Sequence, residues 1–209
     1  MGFIQMTPMP RLTKNDLIET LDAVLQQQFI SSDGKIYDRQ KRESINIPGT
    51  KFTYIRIKNA IVDGFQFILG GRMDQFLLYL SKKFKVPRNL FEDKLSIIEQ
   101  QGIPVDTRMQ FMMIISAIRE YWQDIAYKKV LEDLTMFIKR INENLIIQLD
   151  EVQELVSSNF ESDYSMLVNI YVLNEMGKLA GTPLKSQEAW FRIMDKLAAE
   201  IALKFTKET

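Results

Sequence analysis

The sequence predicts a mainly α protein with a small β-hairpin appended near its N-terminus. Three observations carry this. No glycine or proline occurs between Val105 and Met176, so nothing in that stretch forbids helix. Apolar residues recur there and at both ends of the chain with helical spacing. Only between about 44 and 58 does the period shorten towards that of a strand. Hydrophobic residues make up 46% and charged residues 26%, a globular composition able to bury a core.

The elements follow in order. Residues 1–12, with Pro8 and Pro10, read as an irregular arm. Thr13, with Asp16 three residues on, caps a helix that places Leu17, Leu21, Val24 and Leu25 on one face and ends near Gln28. Ser31-Ser32-Asp33-Gly34 is a turn. Ser44–Ile47, Pro48-Gly49-Thr50 and Lys51–Ile57 read as arm, turn and arm of a hairpin. A helix is expected from about Asn59 to Phe84, interrupted at Gly70-Gly71 and closed by Pro87. Another runs from Asn89 to Gln101, ended by Gly102 and Pro104.

Within the glycine- and proline-free stretch, Phe111, Ile114, Ile118, Trp122 and Ile125 form one stripe. Leu131, Leu134, Ile138, Ile141, Leu145, Gln148, Val152 and Leu155 form a heptad series in a different phase. The change near Lys128 predicts a stutter or a break, with Asn142 and Asn144 as further break candidates. Either the chain folds back there into a helical bundle, or one long helix of up to about 50 residues, near 75 Å, crosses 106–158. A helix from Ser162 to Lys178 follows, then a turn at Gly181-Thr182-Pro183. A last helix over 186–205 carries Trp190, Ile193, Met194, Leu197, Ile201 and Phe205 on one stripe. The domain reading is an arm (1–12), a small basic α+β region (13–88) and a helical domain (89–209).

The chain has no cysteine and no histidine. Disulfides, thiolate metal sites and Ser–His–Asp or Cys–His catalysis are therefore excluded within it. An enzyme would have to work through carboxylates, Lys, Arg, Tyr or Ser. Glu120 and Asp124, four apart on one helical face, are the best carboxylate pair for a metal or a shared proton, and Asp150, Glu151 and Glu154 the next. Both sets suit a solvated helix surface better, and no metal or cofactor is expected. Gly70-Gly71-Arg72 lacks the spacing of a phosphate-binding loop. The expectation is thus a non-enzymatic structural, assembly or protein-interaction protein. It would act through helical surfaces on itself or another protein, with Leu131, Leu134, Ile138, Ile141, Leu145, Val152 and Leu155 as the interface.

Net charge is zero but unevenly spread. Bases and acids number two and four in 1–34, twelve and four in 35–91, and thirteen and nineteen in 92–209. The basic segment interleaves Lys35, Arg39, Lys41, Arg42, Lys51, Arg56 and Lys58 with Tyr37, Phe52 and Tyr54. This suits phosphate contact and base stacking, so DNA or RNA is the alternative partner. As a strand, 51–58 would turn Phe52, Tyr54, Arg56 and Lys58 outward and Thr53, Ile55 and Ile57 inward.

Lys51-Phe52-Thr53-Tyr54 followed by Arg56-Ile57-Lys58-Asn59-Ala60-Ile61-Val62-Asp63 resembles the promoter-binding segment of bacterial sigma factors, which often reads F-x-T-Y…R-I-R-G-A-I-x-D. The gap between Tyr54 and Arg56 is shorter here, Asn59 stands where that segment has Gly, and nothing like a second sigma domain follows. The resemblance is local and assigns no family.

No apolar run reaches the length of a membrane span, and the N-terminus lacks the pattern of a signal peptide. The expected compartment is the cytoplasm, of a cell or of an infected host.

Overall fold

Thr13 opens the first helix by reciprocal capping. Its backbone N–H donates to the Asp16 carboxylate and its hydroxyl accepts from the Asp16 N–H, both at 3.1 Å. The computed structural model describes residues 13–28, 35–38, 43–47, 49–64, 66–67, 71–101, 107–181 and 187–207. Among them are eight helices: α1 (Lys14–Gln28), α2 (Thr50–Asp63), α3 (Met73–Phe84), α4 (Arg88–Gln100), α5 (Thr107–Ile141), α6 (Leu149–Asn159), α7 (Glu161–Leu179) and α8 (Gln187–Lys207). The protein is mainly helical, as its periodicity requires. The expected arm at 1–12 and the turn at 31–34 lie outside the described residues.

The hairpin expected near 44–58 does not form. Its supposed second arm is the start of α2. Gly49 adopts φ 84°, a left-handed conformation that glycine takes without strain. The chain then enters helix through Thr50 N–H to Ile47 C=O at 3.2 Å and Thr53 N–H to Gly49 C=O at 3.1 Å. Thr50, expected in the turn, and Thr53, expected in the second arm, are buried, and their hydroxyls donate to the Ile47 and Gly49 carbonyls. Residues 43–46 instead pair backwards. The strands β1 (Lys35–Asp38) and β2 (Glu43–Asn46) form a short antiparallel ladder with Lys35 opposite Asn46.

Helical period then decides which side chains of α2 are buried. Thr53, Tyr54, Ile57, Ala60 and Ile61 face the core, while Lys51, Phe52, Ile55, Arg56 and Asn59 face solvent. α2 ends at Gly64, earlier than the break expected at Gly70-Gly71. A Cβ on Gly64 would lie 2.8 Å from the Tyr79 ring and 2.9 Å from the Phe76 ring, so glycine there permits α3 to close in. The Tyr79 hydroxyl donates to the Ala60 carbonyl at 2.8 Å, tying α3 to α2. Gly71, with φ 68°, re-aims the chain into α3.

α5 is the axis of the fold. It is one unbroken helix of 35 residues, about 52 Å long. The break expected near Lys128 is absent, for a physical reason. The upstream stripe leaves Ile125, which is exposed, and continues through Ala126, Val130, Leu134 and Ile138, all buried. Steps of four residues advance about 40° around the helix each time, so the buried face winds along α5. Its neighbours change accordingly: α1, α4, α6, α7 and α8 all pack against it. A phase change in sequence thus marks a change of partners along a continuous helix. The Trp122 indole N–H donates to the Phe84 carbonyl at 2.8 Å and fastens the α3 terminus to α5.

The single long helix across 106–158 is also excluded, because α5 stops at Ile141. Asn142 ends it. Its carbonyl accepts from Leu145 N–H and its side-chain oxygen from Asn144 N–H, a local competitor for helix. Gln148 then starts α6 with a capping box, in which Glu151 accepts the Gln148 N–H at 2.8 Å. α2 and α6 both contact α7, and the buried residues from Leu17 to Ala202 form one cluster.

Candidate protein-interaction surface

The C-terminal end of α5 carries apolar side chains beyond the point where its core partners stop. Ile138 is buried, but Ile141, one turn on, is 52% exposed. In the following corner Ile147 is buried and anchors the chain, while Ile146 is 91% exposed. Met136 and Leu149 are exposed as well. Met136, Leu149, Glu132, Thr135, Lys139, Arg140 and Glu143 line one open groove between α5 and the start of α6. The groove therefore has an apolar floor and two charges of each sign on its walls.

The predicted interface residues divide by burial. Leu131, Leu134, Ile138 and Val152 lie in the core of the chain itself, Leu145 and Leu155 are half-buried, and Ile141 is exposed. A heptad series cannot say whether its seam meets another chain or the same one. Here most of it is buried within the chain's own core. Ile146 escaped the sequence reading because the heptad passes through its neighbour Leu145. The adjacent Ile146-Ile147 pair, which cannot bury both members on one face, was the available signal.

The basic segment divides too. Arg39, Lys41 and Arg42 lie outside the described residues, and Lys35 is half-buried. Tyr54 is buried, and its hydroxyl donates to the Asp22 carboxylate. Burial first, then that carboxylate, pushes the Tyr54 pKa well above its ordinary value. The Lys58 ammonium lies 3.3 Å from Asp22 and 5.9 Å from the centre of the Tyr54 ring. Tyr54 and Lys58 thus join α2 to α1. Lys51, Phe52 and Arg56 remain exposed, with Ile55, as one stripe.

Three of the carboxylate candidates have other roles. Glu120 pairs with Lys94 at 2.6 Å, linking α5 to α4. Asp150 and Glu151 lie in the first turn of α6, where negative charge favours the helix end. Among the described residues no three acidic side chains converge as metal ligands do, and no helix is long and apolar enough to cross a membrane.

Comparison of the chain with protein-family models, with curated proteins and with solved structures gave no match.

Proposed function

We propose that the protein is a non-catalytic assembly protein that works through its helical surfaces, and that the α5–α6 corner docks a second copy of the chain. The 91% exposure of Ile146 carries this reading, with Ile141, Met136 and Leu149 also exposed in this part of the chain. Exposed apolar side chains lose contact with water only when another surface covers them. The choice of a second copy rests on charge. Glu132 and Glu143 stand against Lys139 and Arg140 in the same groove, so the patch is its own complement about a two-fold axis. Ile146→Glu is expected to weaken self-association at least about tenfold, or ~1.4 kcal/mol. Far-UV circular dichroism should be unchanged. Sedimentation of the wild type and the variant over rising concentration reads this directly. A wild type that stays monomeric at the highest concentration overturns the reading.

A second reading, contact with DNA or RNA, is favoured by the α2 stripe of Lys51, Phe52, Ile55 and Arg56. It offers two cations and a 64% exposed phenyl ring on one solvent face. On this reading wild-type affinity falls steeply with salt, and Phe52→Ala with Arg56→Glu removes most of the binding. Absence of measurable binding to either nucleic acid at low salt eliminates it.

A further inference from the structure

A recess of about 150 Å³ opens between α5, α7 and α8, lined by Asp133 of α5, by Ile170, Tyr171, Asn174, Glu175 and Lys178 of α7, and by Gln187, Trp190 and Phe191 of α8. It holds two carboxylates and three aromatic rings. The α7 residues recur at intervals of three and four, so one face of that helix forms a wall. The Trp190 and Phe191 rings meet edge to face at 5.2 Å, and Phe191 stacks on Phe137 of α5 at 6.1 Å and 25°. Phe191 is nearly half exposed, so the aromatic wall is open to a visitor. The Trp190 indole nitrogen is buried without a hydrogen-bond partner. A volume of this size is too small for a drug-sized ligand but fits one side chain of a partner.

We propose that this recess recognises the guanidinium side chain of an arginine presented by a partner peptide, its plane against the aromatic wall and its N–H groups on Asp133 and Glu175. Three observations support that chemistry. Both carboxylates already take cations of this chain, Lys129 on Asp133 at 3.4 Å and Lys178 on Glu175 at 3.0 Å. Those lysines are each about half exposed, and surface pairs of this kind are weak, so they are displaceable. The same aromatic surface already carries a guanidinium at its edge, where Arg140 lies 5.5 Å over Phe137, the ring that stacks on Phe191. Negative charge is felt inside the recess as well. The Tyr171 pKa is raised by burial first, then by Glu175 and Asp133.

An ammonium is a compact point charge with three donors and no planar face to stack. A guanidinium presents a planar fork of donors and stacks on aromatic faces, so it gains where the resident lysines do not. The recess and the α5–α6 corner are lined by different residues, although both involve α5. Its occupation does not require self-association, and Ile146→Glu leaves it intact.

The two tryptophans of the chain provide the readout. Trp122, held by the Phe84 carbonyl, is the internal control. The full chain is titrated with the blocked tripeptide Ac-Ala-Arg-Ala-NH2, its lysine counterpart and its neutral citrulline counterpart, following the indole N–H resonances. The Trp190 resonance should shift saturably with the arginine peptide in the millimolar range while that of Trp122 stays fixed. The citrulline peptide should bind at least about tenfold more weakly, and the lysine peptide in between. Asp133→Asn with Glu175→Gln should abolish the preference for arginine over citrulline, and Phe191→Ala should weaken arginine binding in an otherwise folded protein. Equal shifts with arginine and citrulline, or no shift of Trp190 with any peptide, overturn the proposal.

Discussion

Leu134→Ala should lower the free energy of unfolding by about 2–5 kcal/mol, whereas Ile141→Ala, seven residues on in the same heptad series, should change it by no more than about 0.5 kcal/mol. Leu134 has no solvent exposure and lies on the winding buried face of α5. Truncating it removes apolar contact and leaves a cavity that the close-packed neighbours fill only in part. A domain of this size is stable by about 5–15 kcal/mol, so the loss is a large share of the total. Ile141 is already half in water and gives up little. Urea unfolding measures both, with the slope against denaturant unchanged so that the midpoints report stability. Equal losses at the two positions would mean that the heptad seam, and not the winding face, is buried.

Raising the pH above about 10 should destabilise the protein, and Tyr54 and Tyr164 should account for a defined part of that loss. Both side chains are nearly inaccessible, at 7% and 3% exposure. The Tyr54 hydroxyl donates to Asp22 and the Tyr164 hydroxyl to the Tyr127 carbonyl. Burial first holds both pKa values well above the ordinary 10.0, and for Tyr54 the Asp22 carboxylate adds to it. The folded state therefore keeps both protons at a pH where the unfolded chain has lost them. Their contribution is complete below the unfolded value and is lost as pH rises from there towards the folded value. Each tyrosine then contributes about 1.4 kcal/mol of destabilisation per pH unit above 10. Tyr54→Phe and Tyr164→Phe should each begin less stable at neutral pH, by about 1 kcal/mol for the lost hydrogen bond, yet lose stability less steeply in alkali. Parallel curves for wild type and variants between about pH 9 and 11.5 would show that neither proton is held by the fold.

Much of this fold was legible in the chain. The capping pair Thr13 and Asp16, the stop signal at Pro87, and the stripe of α8 state local requirements that no tertiary contact overrode. The hairpin shows the opposite. Thr50, Thr53, Ile55 and Ile57 have strand propensity, but propensity is a weak preference, and burial of Tyr54, Ile57 and Ile61 against α1 and α7 outweighs it. The sequence series drawn through Ile125 missed Ala126 because alanine looks neutral in a pattern of large residues, although close packing favours a small one there.

The candidate sites were less legible than the fold. The aromatic-cationic face of 51–58 rested on strand alternation, and helical period moved Tyr54 and Lys58 to Asp22 and left Phe52 and Arg56 outside. The recess at Trp190 and Phe191 had no sequence signal, since Asp133, Glu175 and Phe191 are brought together from three helices.

The sequence by itself determined that the chain is helical, that it contains neither histidine nor cysteine chemistry, and where most helices start and stop. These follow from hydrogen bonds and periodicities within a few residues of chain. Tertiary structure alone decided that α5 runs unbroken past Lys128, that Leu134 and Ile138 face inward while Ile141 and Ile146 face out, and that two carboxylates meet three aromatic rings. Those outcomes depend on which surfaces distant helices offer each other, and water excludes apolar groups without regard to their separation along the chain.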